Sequence, residues 1–132
     1  MFQMRSPAKL NTTARLPKKA SPTVGGHKSG ALRSSKATAL ARAAAAAGSD
    51  ARMNGCELPA VILSGSGNQG ITATMPVLVY AEHLGSTHEQ LYRALVLSDL
   101  VTIHQKTGIG SVSAFCGAVC AGVGAGCGIA YL

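Results

Sequence analysis

The stretch Ser86-Thr87-His88-Glu89-Gln90-Leu91-Tyr92-Arg93-Ala94-Leu95-Val96-Leu97-Ser98-Asp99-Leu100-Val101 decides how this chain folds. Ser86 and Glu89 have the spacing of a capping box, in which the hydroxyl accepts the Glu89 N–H and the carboxylate returns to Ser86. The helix predicted from this start runs to about Lys106, with Gly108 as its stop. Its centre, Ala94 to Val101, is apolar almost all round, and such a helix is buried on most sides. The fold class that follows is mainly α.

Downstream, residues 109–132 carry no charge at all. A run of that length can span a bilayer, and Gly122 with Gly126 forms a small-xxx-small pair. Glycine is frequent there and large lipid-facing side chains are few. A closely packed helix pair inside a soluble protein is therefore the expectation, and membrane association is the weaker reading.

Upstream, Ser64-Gly65-Ser66-Gly67-Asn68-Gln69-Gly70 reads as a glycine-rich loop. Ile71 to Leu84 reads as a helix closed by Gly85, with Pro76 implying a kink or a late start. Glu57 to Leu63 is short and apolar, includes Pro59, and reads as extended and strand-like. Lys36 to Ala47 is rich in alanine, the best helix former, and Gly48 weakens or ends that helix. Ser49-Asp50 is a possible new cap.

Residues 1–34 show no helix or strand period and are broken by Pro7, Pro17, Pro22, Gly25, Gly26 and Gly30. Too little apolar surface is present to offset the ordering entropy, so a disordered tail is expected. Two units follow: a basic tail over 1–34 and a helical unit over 35–132.

Charge divides the chain in a similar place. Of 132 residues with a net charge of +7, residues 1–49 hold nine of the basic side chains and no acid, whereas 50–132 hold all five acids. The tail fits a nucleic-acid or anionic-membrane contact, an organelle transit peptide, or a non-specific extension. With no Trp, three Tyr and two Phe, stacking on bases is largely excluded, and no specific nucleic acid is expected. Four cysteines and no signal-peptide core argue against a disulfide-dense secreted protein and for the cytoplasm. Residues 50–132 make a short, glycine-heavy unit that buries little surface, as a piece of something larger would.

The chemistry-bearing residues are few. Cys116, Cys120 and Cys127 read C-x3-C-x6-C, which is neither a zinc-knuckle nor a ferredoxin spacing. On a continuous helix the three share one face, but Cys116 and Cys127 lie about 16 Å apart. Both can serve one small metal centre only if the helix breaks, and Gly122–Gly126 is the place for a break. Small buried thiols packing between helices are the simpler reading. The Ser64–Gly70 loop offers N–H groups, two hydroxyls and two amides ahead of a helix, a serviceable cradle for a carboxylate or phosphate. A plain tight turn accounts for the same residues. His27, His83, His88 and His104 pair with no evident nucleophile, so no triad is indicated.

Five blocks in order carry a resemblance: Ser49-Asp50-Ala51-Arg52-Met53 with Gly55-Cys56, Gly65-Ser66-Gly67-Asn68-Gln69-Gly70-Ile71, Thr74-Met75-Pro76, Ser113-Ala114-Phe115-Cys116-Gly117, and Gly124-Ala125-Gly126-Cys127-Gly128. Over about residues 46–132 the chain resembles the serine dehydratase alpha-subunit-like family, in its L-cysteine desulfidase branch. The resemblance implies a helical fragment of an iron–sulfur lyase catalytic domain, with an oxygen-sensitive 4Fe–4S cluster held by three cysteines. It implies Cys56, Cys116 and Cys127 as ligands and Cys120 as the extra, while spacing does not choose between Cys116 and Cys120. It implies that Ser64, Ser66, Asn68 and Gln69 hold the substrate carboxylate. The implied reaction is α,β-elimination from L-cysteine or L-serine, giving pyruvate, ammonia and hydrosulfide or water. Family members are far longer and keep their base upstream of this region. The expectation is therefore a truncated chain with little or no activity unless a complementary chain or a second copy completes it. The alternative is a small basic-tailed protein associated with nucleic acid or membrane and without catalytic activity.

Overall fold

A computed structural model describes residues 28–132, with side chains from Lys36 onward. Four helices follow one another: α1 (Lys28–Met53), α2 (Gly67–Leu84), α3 (His88–Ile109) and α4 (Ala118–Tyr131). No strand occurs among the described residues. Helix α4 packs on α3 and α2, and α1 packs on α2. The fold is mainly α, as the apolar pattern predicts.

The tail expected over 1–34 lies outside the described residues as far as residue 27, but α1 already begins at Lys28. Nor does α1 end at Gly48. A side chain at Gly48 would lie 3.0 Å from Ile71 Cγ2, so the glycine sits where α2 comes close, and the helix continues through Ser49-Asp50. Ala37 and Ala41 are its buried face, and Tyr80 Oη of α2 lies 2.6 Å from Thr38 Oγ1.

Residues 57–63 form no strand; they are an irregular segment with bends at Leu58 and Leu63. Gly70 of α2 packs directly on the Val61 carbonyl, a contact no side chain would permit. Helix α2 starts ahead of Ile71 and carries Pro76 within it, so the Thr72 carbonyl lacks its helical donor. The helix ends in a Schellman arrangement. Gly85, at φ 70°, donates to Glu82, and the Ser86 N–H reaches Ala81 at 2.9 Å.

The capping box of α3 is present one residue later than the Ser86–Glu89 spacing suggests. Thr87 Oγ1 accepts the Gln90 N–H, and Gln90 Oε1 accepts the Thr87 N–H at 2.9 Å. The helix outlasts Gly108 and stops at Gly110, whose carbonyl accepts from Lys106 Nζ at 2.9 Å. The expected helix pair within 109–132 is a single helix, α4, packed against α3.

The core is made of small residues. Val77, Ala94 and Ala125 are buried at its centre, with Leu91, Leu95, Ile129 and Leu132 around them. Ser98 Oγ crosses from α3 to the Ala73 carbonyl of α2 at 2.9 Å. At Gly124 an added Cβ would collide with Thr102 Oγ1 and the Ser98 carbonyl, so α3 and α4 meet backbone to side chain there.

Candidate functional site

Gln69 organises the glycine-rich loop. It is fully buried, its Oε1 accepts the Ser64 N–H at 3.0 Å, and its Nε2 donates to Ser64 Oγ at 3.1 Å. The loop is thereby closed on itself before α2 begins. From the far side, Gly117 packs across Gln69, where a Cβ would lie 3.3 Å from Gln69 Cδ. The start of α4 and the loop therefore share one buried amide.

Arg52, in the last turn of α1, lies over the same loop. Its Nη1 donates to Asn68 Oδ1 at 3.1 Å, and a Cβ on Gly67 would lie 2.5 Å from its Nε. Ser66 is the N-cap of α2, with extended backbone at φ −129° and a hydroxyl that makes no capping bond. The first N–H groups of α2 have no acceptor within the helix. A guanidinium fork, a hydroxyl and a helix N-terminus thus lie within one short stretch, a combination chemically suited to an anion such as a carboxylate.

The four residues expected to bind substrate divide into two roles. Ser64 and Gln69 spend their polar atoms on each other and shape the loop. Ser66 and Asn68 sit at the start of α2, beside Arg52. Sequence reasoning missed Arg52 as a site residue, although it lies within the Ser49–Met53 block. Nothing in linear order brings position 52 to position 68; the packing of α1 on α2 does.

The cysteines are not gathered. Cys56 and Cys116 are exposed, Cys127 is half-buried and Cys120 is buried. Cys116 precedes the Gly117 that packs on Gln69, so it lies next to the loop. Helix α4 runs without a break through Gly122–Gly126, so Cys120 and Cys127, both on it, lie about 10 Å apart along its axis. Cys116 lies in the connector just ahead of α4, outside the helix that carries Cys120 and Cys127. Among the described residues, no three His, Cys, Asp or Glu side chains are placed to hold a metal ion. As arranged here, Cys56, Cys116 and Cys127 do not fit a 4Fe–4S cluster.

The histidines stand apart from the loop. His83 is in the last turn of α2, His88 packs near Tyr92 with ring centroids 6.3 Å apart, and His104 is exposed on α3. Burial pushes the Asp99 carboxyl above its ordinary 3.8. Among the described residues no helix is long and apolar enough to cross a membrane, α4 included.

The family profile described as serine dehydratase alpha chain matches residues 3–132, well ahead of residue 46, where the motif blocks begin. The UPF0597 protein of Desulfitobacterium hafniense (strain Y51) is 68% identical over 92 residues, which cover 70% of this chain and 21% of that protein. The UPF0597 protein of Lachnoclostridium phytofermentans is 58% identical over 92 residues, covering 70% of this chain and 22% of that protein. In Oleidesulfovibrio alaskensis the corresponding figures are 52% over 101 residues, 76% and 24%. The chain thus spans about a fifth of the length of the curated relatives it matches. No solved structure matches it.

Proposed function

Because the chain belongs to the serine dehydratase alpha chain family, we propose that it is the carboxylate-binding part of an amino-acid lyase of the L-cysteine desulfidase or L-serine dehydratase type. The reaction is α,β-elimination. The Cα–H bond and the Cβ–S or Cβ–O bond break, hydrosulfide or water departs, and the enamine left behind becomes an imine that water converts to pyruvate and ammonia. In this reading Arg52, the Ser66 hydroxyl and the α2 N-terminus hold the substrate carboxylate. Asn68 aims the guanidinium, and the Ser64–Gln69 pair keeps the loop closed. The observation that carries it is the Arg52–Asn68 bond at 3.1 Å, which fixes a cation across Gly67 at the start of α2.

Family relation brings the 4Fe–4S cluster into consideration, with Cys56, Cys116 and Cys127 as its ligands. The thiols as placed do not fit it, and no step is assigned to it. Residues 35–132 are read as part of a catalytic domain in the cytoplasm, completed by a complementary chain or further alpha-chain segments, with residues 1–34 as its basic extension.

Binding is testable without turnover. L-Serine or L-cysteine added to the isotopically labelled full chain should shift the Gly67 and Asn68 amide resonances. Arg52→Ala should abolish that shift while leaving the helical spectrum intact. Amides that do not respond to either amino acid in the wild-type chain would defeat the reading.

A further inference from the structure

Helices α3 and α4 are built inside out. The buried residues of α3 are small: Ala94, Ser98 and Thr102. Leu91 and Leu95 flank the core, but four other large apolar residues point away from it, with Tyr92, Val96, Leu100 and Ile103 exposed by 53%, 56%, 61% and 40%. At 100° per residue these four fall within an arc of about 80°, opposite the small face, along about 16 Å of helix. Helix α4 repeats the pattern. Cys120, Ala121, Gly124, Ala125 and Gly128 face inward, while Val119 and Val123 are exposed. A helix whose outer side meets water puts its large apolar residues inward. An apolar stripe of this length pointing outward marks a contact surface.

Asp99 adds an independent observation. It sits at the edge of the α3 stripe, about 20° from Tyr92 around the axis. Its Oδ1 is shielded from water and has no hydrogen-bond partner. A buried acceptor without a donor is costly, so whatever covers the stripe should bring a donor. Lipid does not supply one, and α3 also carries Glu89, Arg93 and Lys106. The relatives have the needed material, because the matched stretch is only 21% or 22% of their length.

We propose that the outer faces of α3 and α4 are interior surfaces of the complete alpha-chain fold. Segments that the relatives carry outside the matched stretch cover the pair from both sides, and one of them donates a hydrogen bond to Asp99. The helix pair is then the centre of the complete domain and not its edge.

The test replaces the matched stretch of the Desulfitobacterium hafniense relative with the corresponding residues of this chain. Leu100→Cys is introduced into that chimera and into the full 132-residue chain. Maleimide labelling at position 100 is followed by peptide mass. In the full chain Cys at 100 should react like an open thiol, and in the chimera at least about tenfold more slowly. Equal rates overturn the proposal, and so does a chimera that cannot fold around the inserted helices. Protection already present in the full chain, with a dimeric mass, assigns the surface to a second copy and overturns it as well. A folded chimera that shields position 100 but forms no pyruvate sinks the lyase reading and leaves the docking intact.

Discussion

The glycine-rich loop and the outer face of α3 are opposites. In the loop nearly every polar side chain has found a partner: Gln69 with Ser64, Asn68 with Arg52. On α3, four large apolar side chains face water and one carboxylate oxygen is covered with nothing to bind. The loop is finished by residues within this chain, through contacts reaching from Arg52 to Gly117. The α3 face is not. A binding element can therefore be preorganised inside a unit whose wider packing is still incomplete.

The sharpest way to break that contrast is at the α3–α4 contact. Gly124→Ala should cost at least about 3 kcal/mol, because the new methyl meets Thr102 Oγ1 and a backbone carbonyl that cannot swing away. Gly126→Ala, on the opposite side of α4 in open space, should instead gain about 1 kcal/mol. Urea melts of both variants test the difference, and equal effects would mean the helices do not approach as closely as described.

Next in size is the loop. Gln69→Leu keeps the volume but removes both bonds to Ser64, at an expected cost of about 1–2 kcal/mol. The same variant should lose the amino-acid-induced shifts at Gly67 and Asn68. Retained binding would show that the loop does not depend on its buried amide.

Asp99 makes the chain's stability depend on pH, and the sign of that dependence reports whether a donor reaches it. Burial raises its carboxyl above 3.8 in the folded chain, so the folded state binds the proton more tightly than the unfolded state. Its contribution should be fully present below pH 3.8 and should decline as pH rises through the folded value. Thermal melts across that window should show the decline in the wild type and not in Asp99→Asn. Where a donor reaches Asp99 in a completed fold, the slope should reverse.

The smallest effect belongs to the exposed Arg93–Glu89 pair, whose side chains are 64% and 74% exposed. Arg93→Ala should change stability by less than about 0.5 kcal/mol in the same melts. A larger loss would mean that this part of α3 is more enclosed than it stands here.

Much of the fold was legible because helix signals are local. The Ser/Thr-x-x-Glu/Gln pattern and Gly108 bracket α3 within a residue or two. The one-residue error has a plain cause: Ser86 with Glu89 and Thr87 with Gln90 both satisfy the spacing, and only the folded backbone selects the second. The glycines misled in two places for a single reason. Gly48 and the Gly122–Gly126 run look like breaks by propensity, but Ile71 at Gly48 and α3 at Gly124 reward a missing side chain within an unbroken helix. The loop was legible as a cradle from its own composition. Arg52 was not, because its role depends on α1 lying against α2, and no pattern near position 52 reports that contact.

The short connector between α3 and α4, residues 110–117, has a consequence for the order of events in folding. Partners such as Thr102 and Gly124 are near in sequence, so their loop closes at little entropic expense, as does the loop between Arg52 and Asn68. The α3–α4 and α1–α2 hairpins should then both form early, from local contacts. The α3–α4 hairpin is the one with apolar side chains on both outer flanks, so a folding chain presents its stickiest surface early.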